Sequence, residues 1–241
     1  EQAPALAEVG AGVALQPNGI RMLRQLGLGG ALLQWGARWL DPQFRRSDGS
    51  FIACMWPPEL GNEIEFYGMH RADLLHLFVE RLPAGVVATD HKCVGFEQDE
   101  HEAILTFANG RREVADVVIA ADGIHSMLQE FVVAPSAPLP SGSVAYRGLI
   151  PAASVSWPRG AMRNWLGAGK HFLVYPVRSD ALINYVGFVR TDEQMRESWS
   201  TAGDPVACSV VSRLADEVAV FAIVALRRLD LLDSEVEVVL G

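Results

Sequence analysis

The sequence predicts an α/β protein in which an α/β layer and a mainly antiparallel β-sheet are interleaved along the chain. Three observations carry that expectation. Helix-spaced apolar residues occupy 17–34 and 71–82, a continuous apolar run at 116–121 reads as a strand buried on both faces, and alternating segments between 144 and 189 read as strands of a second sheet.

The first helical region opens with Pro17, which suits a first turn, and places Ile20, Leu23, Leu26 and Leu28 at helical spacing. Gly27, Gly29 and Gly30 supply its terminator. Segments 50–56 and 63–67 read as short strands about a Pro57-Pro58 turn. Arg71 to Leu82, with Leu74, Leu75, Phe78 and Leu82, reads as an amphipathic helix. Val86–Ala88 and Cys93–Phe96 then read as strands. Ala103–Phe107 and Arg112–Val114 around Asn109-Gly110 read as a hairpin. The run Asp116–Ala121 ends at Asp122-Gly123, and 133–142, rich in Pro, Ala and Ser, is a linker. Val144–Ile150, His171–Val177 and Ala181–Val189 are the expected strands of the second sheet. Asp192–Trp199 and Pro205–Ala215 are expected helices.

Composition narrows the function classes. Half of the 241 residues are apolar and mean hydropathy is +0.17, enough for a large core. No apolar run reaches the ~18–20 residues that span a bilayer. A net charge of −9 and a pI near 5.1 give no basic footprint for nucleic acid or an anionic membrane. Cys54, Cys93 and Cys208 form no CxxC pair and read as small core residues, and a cytoplasmic location is expected. The first residues show no secretory signal. The chain begins with Glu1 and ends in an apolar run closed by Gly241, so it reads as part of a longer protein.

Several motifs carry chemistry jointly. These are Gly10-Ala11-Gly12-Val13 through Pro17-Asn18, His70-Arg71-Ala72-Asp73-Leu74, and Asp116 through Asp122-Gly123 to Ser126. Ala145-Tyr146-Arg147-Gly148, His171 through Tyr175-Pro176, and Glu197-Ser198-Trp199-Ser200 follow them. In order and spacing they resemble the FAD-dependent aromatic-ring monooxygenases, in particular the salicylate hydroxylases and 3-hydroxybenzoate 6-hydroxylases, over residues 1 to about 205. The resemblance implies a Rossmann-like FAD-binding domain, at 1–50, 68–142 and 206–241, interleaved with a substrate domain at 51–67 and 143–205. It also implies that the glycine-rich phosphate loop lies upstream of Glu1, and that a second Gly-Asp motif begins at Gly241.

The same resemblance implies the site. Glu1 would accept from the ribose hydroxyls, Gly12 and Val13 would lie over the flavin ring, and Arg71 would pair with the pyrophosphate at a helix N-terminus. Val94 would offer its backbone to the adenine, and Asp122 and Gly123 would meet a ribitol or ribose hydroxyl. Each also has a plain reading: a solvated glutamate, a flexible turn, a surface arginine, a core valine, an Asp-Gly turn. His171 and Tyr175, four apart on one strand, face the same side. In relatives such residues line the substrate pocket and help deprotonate a phenol; without a ligand they are a half-exposed histidine and an edge tyrosine. Arg147 either faces a substrate carboxylate or pairs with an acid. Gln129 stands where the family has an arginine linked to nicotinamide-nucleotide handling. Trp157, Trp165, Trp199 and the methionines read as packing, and His91 and His101 match no metal-ligand spacing.

The implied activity is NADH- or NADPH-consuming hydroxylation of a phenolic or hydroxybenzoate-type ring by FAD and O2, through a flavin C4a-hydroperoxide. A related epoxidase, an N-heterocycle or urate-type hydroxylase, and a homologue that binds without turnover are the alternatives. A small aromatic substrate is the expected partner, with no nucleic acid and no membrane, and a homodimer stays open.

Overall fold

The computed structural model describes residues 1–6, 12–139 and 141–191. The described residues fall into two compact units, one of 1–6 and 78–139, the other of 12–77 and 141–191. The expected helices at 192–199 and 205–215, the closing apolar run, Cys208, Trp199 and the 197–200 motif lie outside the described residues, as do Gly10 and Ala11.

The larger unit holds two sheets. Strand β1 (Gly12–Leu15) and strand β2 (Ala37–Arg38) flank β5 (Tyr67–His70), both antiparallel to it. The second sheet has six strands in the order β4 (Phe51–Cys54), β3 (Asp41–Arg46), β10 (Ala161–Gly167), β11 (Lys170–Val177), β12 (Leu182–Arg190), β9 (Ser143–Pro151). Only the β3–β10 pair is parallel in it; the other four are antiparallel. Helices α1 (Pro17–Gln25), α2 (Gly29–Trp35) and most of α3 (Arg71–Val79) belong to the same unit. The smaller unit carries an antiparallel sheet of β6 (Cys93–Gln98), β7 (Ala103–Phe107) and β8 (Arg112–Ala115), joined across the Asn109-Gly110 turn, with Gly110 at φ 84°.

The core follows from strand period. On one face of the six-stranded sheet Trp165, Phe172, Val174, Ile183 and Val189 are buried together, with Tyr146, Trp157 and Tyr185 against them. A second cluster, Ile20, Leu32, Tyr67 and Met69, seats the helices on the small sheet, with Leu74 and Leu77 of α3. A third, Trp39, Met162, Tyr175 and Val177, joins the small sheet to the other face of the large one.

Several expectations need correction. Gly27, at φ 74°, ends α1, but Gly29 and Gly30 start a second helix rather than closing the first. The region 63–67 is not a strand: a 3-10 turn covers Pro58–Glu63, and the strand begins at Tyr67. Helix α3 is shorter than expected, and Phe78 and Leu82 stand exposed. Val86 and Val87 form no strand and are exposed. The run at 116–121 joins no ladder, and Val117 and Ile119 are 76% and 85% exposed. Apolar continuity marks a segment able to sit between two strands; among the described residues none lies beside it. Cys54 is exposed because the edge strand β4 has all four residues exposed, and Cys93, which opens β6, is half-buried. Tyr175 is no edge residue, since β11 has neighbours on both sides.

Candidate functional site

The register of the six-stranded sheet decides which side chains share a face. Directly paired residues point the same way, so Tyr175, Asn184 and Leu149 lie in one row. Leu173, Val186, Arg147 and, through β10, Asn164 form the next row, and His171, Phe188, Ala145 and Leu166 the third. His171 and Tyr175 therefore do face the same side, as their spacing predicts.

The small sheet covers only the Tyr175 end of this face. A Cβ added to Gly12 would meet Asn184 Cγ at 2.8 Å and the Tyr175 hydroxyl at 2.9 Å. One added to Gly68 would meet the Pro176 carbonyl at 2.1 Å and Tyr175 Cδ2 at 2.8 Å. Glycine is needed in both strands, because Gly12 lies against the Asn184 and Tyr175 side chains and Gly68 against the Pro176 backbone. The Gly12 N–H donates to Asn184 Oδ1 at 2.6 Å, and Asn184 is 1% exposed. Trp39 packs on Tyr175 with ring centroids 5.2 Å apart. The far end stays open, where Ala145, Arg147 and Leu166 are exposed and His171, Leu173 and Phe188 half-buried.

This gradient sets the protonation states. Burial pushes the Tyr175 phenol up to about 12, against the lowering pull of the Arg147 charge. That pull puts the Arg147 guanidinium within electrostatic reach of Tyr175. At neutral pH Tyr175 is thus a phenol that can donate, not a base. Partial burial lowers the His171 pKa, so its imidazole is neutral and can accept a proton. Its ring stacks on Phe188 at 4.2 Å and 19°. Two polar residues on this face have no motif behind them: Asn184 and Asn164, whose Oδ1 is buried without a partner. The one sequence signal for Asn184 is a polar residue alternating into an apolar strand.

Arg71 opens α3 with its side chain exposed, next to buried His70. Gly12 and Val13 lie in β1, not in a flexible turn.

In the smaller unit, residues 1–3 run beside 88–91: the Glu1 ammonium donates to the Ala88 carbonyl, and the Asp90 and His91 amides to those of Ala3 and Glu1. The Glu1 carboxylate accepts from the Ala3 amide at 2.9 Å and is otherwise exposed. Asp122 Oδ1 accepts from Ser126 Oγ at 2.6 Å, and Ser126 Oγ from the Leu128 amide at 3.2 Å. Gly123, at φ 92°, has open space around it. Val94 is 50% exposed at a register shift in β6, not core. Gln129 sits in the 3-10 turn Met127–Phe131.

No family model matches the chain. It is 34% identical over 224 residues to a salicylate hydroxylase of Pseudomonas putida, covering 83% of this chain and 50% of that protein. It is 38% identical over 194 residues to a 3-amino-4-hydroxybenzoate 2-monooxygenase of Streptomyces cremeus, covering 77% and 48%. Among solved structures, Klebsiella pneumoniae HpxO complexed with FAD and uric acid matches with a TM-score of 0.68 at 19% identity, over 97% of this chain and 60% of that one. At that identity the match speaks for the fold alone, an α/β part interleaved with a mainly antiparallel sheet. The chain spans about half the length of the curated relatives it matches. Over that half, the chain belongs to the family of FAD-dependent aromatic-ring monooxygenases.

Proposed function

We propose that this chain serves the FAD-dependent, NAD(P)H-consuming hydroxylation of a phenolic or hydroxybenzoate-type ring, with the open half of the large sheet's face as the ring's platform. The observation that carries it is the neutral, half-buried His171 on the same open face as Arg147, four residues along β11 from the buried donor Tyr175.

The residues fit the cofactor chemically. Arg71 presents an exposed guanidinium at the start of a nine-residue helix, where a diphosphate is favoured. Asp122 keeps an exposed carboxylate with one oxygen engaged by Ser126, and Glu1 keeps an exposed one, both suited to sugar hydroxyls. Gly123 and Val94 offer accessible backbone, and Gly12 and Val13 would border the ring system. Residues 1–50, 68–142 and 206–241 would form the cofactor domain, and 51–67 with 143–205 the substrate domain. FAD, reduced by NADH or NADPH, supplies the activated oxygen.

The chain's own residues handle the ring. His171 and Tyr175 lie four residues apart, about 13 Å along a strand at ~3.3 Å per residue. A hydroxybenzoate ring would fit within that gap, over Leu173. The His171 nitrogen would take the phenolic proton, making the ring electron-rich, and Arg147 would hold a carboxylate. Tyr175 donates from the covered end. Phe188 keeps water from the imidazole's face.

The test is to incubate the purified protein with FAD, record the bound-flavin absorption, and follow NADH and NADPH oxidation with salicylate or 3-hydroxybenzoate. Acceleration by the ring, lost in His171→Ala, supports the reading. Absence of bound flavin, or oxidation indifferent to the ring, refutes it.

A further inference from the structure

The connection between β11 and β12 is built unlike any other turn among the described residues. Arg178, Ser179 and Asp180 have φ of 50°, 52° and 65°, three of the four non-glycine residues described with a left-handed backbone. No glycine relieves the turn, so other bonds must hold it, and they do. Ser179 Oγ donates to the Gln34 carbonyl and its amide to that of Trp35 at 3.2 Å. Asp180 Oδ1 accepts from the Gly160 amide at 3.3 Å. Arg178 reaches furthest. Its Nε donates to Asp73 Oδ2 at 2.9 Å and its Nη2 to Asp73 Oδ1 at 2.5 Å, with Nη2 also 3.3 Å from His70 Nδ1.

His70 ends β5 just before Arg71, Asp73 lies in the first turn of α3 just after it, and Arg178 follows Tyr175-Pro176-Val177 directly. The bond thus ties the strand that carries Tyr175 to the helix that opens with Arg71. Asp73 is 11% exposed and Arg178 35%, and the paired fork fixes orientation as well as distance.

We propose that Arg178 is a positioning residue, which clamps the end of β11 to the first turn of α3 and so sets Tyr175 in place relative to Arg71. The proposal rests on the reading above, with Arg71 at the cofactor's diphosphate and Tyr175 at the ring. The strained backbone is what such a clamp requires, because it turns the arginine back across the hairpin's end. A lysine keeps the charge but not the planar fork.

Hydrogen exchange and FAD titration by flavin fluorescence, on the wild-type chain and on Arg178→Met, Arg178→Lys and Arg159→Met, test it. Arg159 pairs with Asp180 in the same turn at 3.7 Å and is 87% exposed, so its variant reports on the turn alone. Arg178→Met should speed exchange roughly tenfold both at 71–74 and at 174–177, sparing the β6–β7–β8 sheet, and weaken FAD binding about fivefold or more. Arg178→Lys should show the same two-segment pattern at about threefold, which keeps the test decisive if the methionine variant does not fold. Arg159→Met should leave both readouts unchanged. Exchange confined to 177–181, with FAD affinity intact in both Arg178 variants, overturns the clamp while leaving the functional reading standing. If the wild-type protein binds no FAD, the functional reading falls, and the exchange pattern alone still decides the clamp.

Discussion

Replacing Gly68 by alanine probes the approach of β5 to β11. The added Cβ would sit 2.1 Å from the Pro176 carbonyl oxygen and 2.8 Å from Tyr175 Cδ2. An ordinary contact is about 3.4 Å or more, so β5 must retreat from β11 by more than 1 Å, since the obstacle is backbone and cannot rotate away. Overpacking of a well-filled core costs about 1–3 kcal/mol, occasionally more, and a backbone clash belongs at the upper end. At about 3 kcal/mol, and ~2–4 °C per kcal/mol for a chain of this size, Tm should fall by roughly 6–12 °C. Gly19→Ala is the control of opposite sign: it lies in α1 with nothing within 4 Å of the new Cβ and should stabilise by about 0.5–1 kcal/mol. Urea unfolding of both variants measures the pair. A Gly68→Ala change within about 0.5 kcal/mol of wild type would refute the packing of the small sheet on Tyr175.

Asn184→Leu leaves the Gly12 N–H unpaired and should cost about 1–3 kcal/mol in urea unfolding. Burial works to raise the Asp73 pKa, yet its hydrogen bonds with Arg178, that residue's charge and His70 outweigh it and hold the pKa below the usual value. A depressed carboxylate stabilises above its unfolded pKa, about 4, and loses that contribution as pH falls through the folded value, so Asp73→Asn should flatten the stability profile below about pH 4. The lowered His171 pKa means ring-stimulated NAD(P)H oxidation should hold at neutral pH and fall only as pH drops below about 6.5, which a pH–rate profile checks.

Much of the large sheet was legible because β9, β11 and β12 obey the two-residue period; the expected strands fall within a residue or so of those observed. Strands β3 and β10 were not. Asp41, Gln43 and Arg45 look solvated in sequence, but Gln43 bonds both neighbours and Asp41 pairs with buried Arg163 on β10 at 2.6 Å. Polar residues that satisfy one another 122 positions apart leave no local signature. The shared face of His171 and Tyr175 was readable from spacing alone, whereas the closure of one end was not. It depends on Gly12 and Gly68 meeting Tyr175 and Asn184 from more than a hundred residues away. The burial that makes Tyr175 a donor came from the same contacts. The left-handed run at Arg178 carries no glycine to announce it.

The most direct measurement is product analysis of the FAD-loaded protein given NADH or NADPH, O2 and salicylate or 3-hydroxybenzoate. A ring-hydroxylated product is expected, its rate of formation falling about a hundredfold or more in His171→Ala. Reduced nicotinamide consumed without any ring product, or product formed equally well without the imidazole, would contradict it.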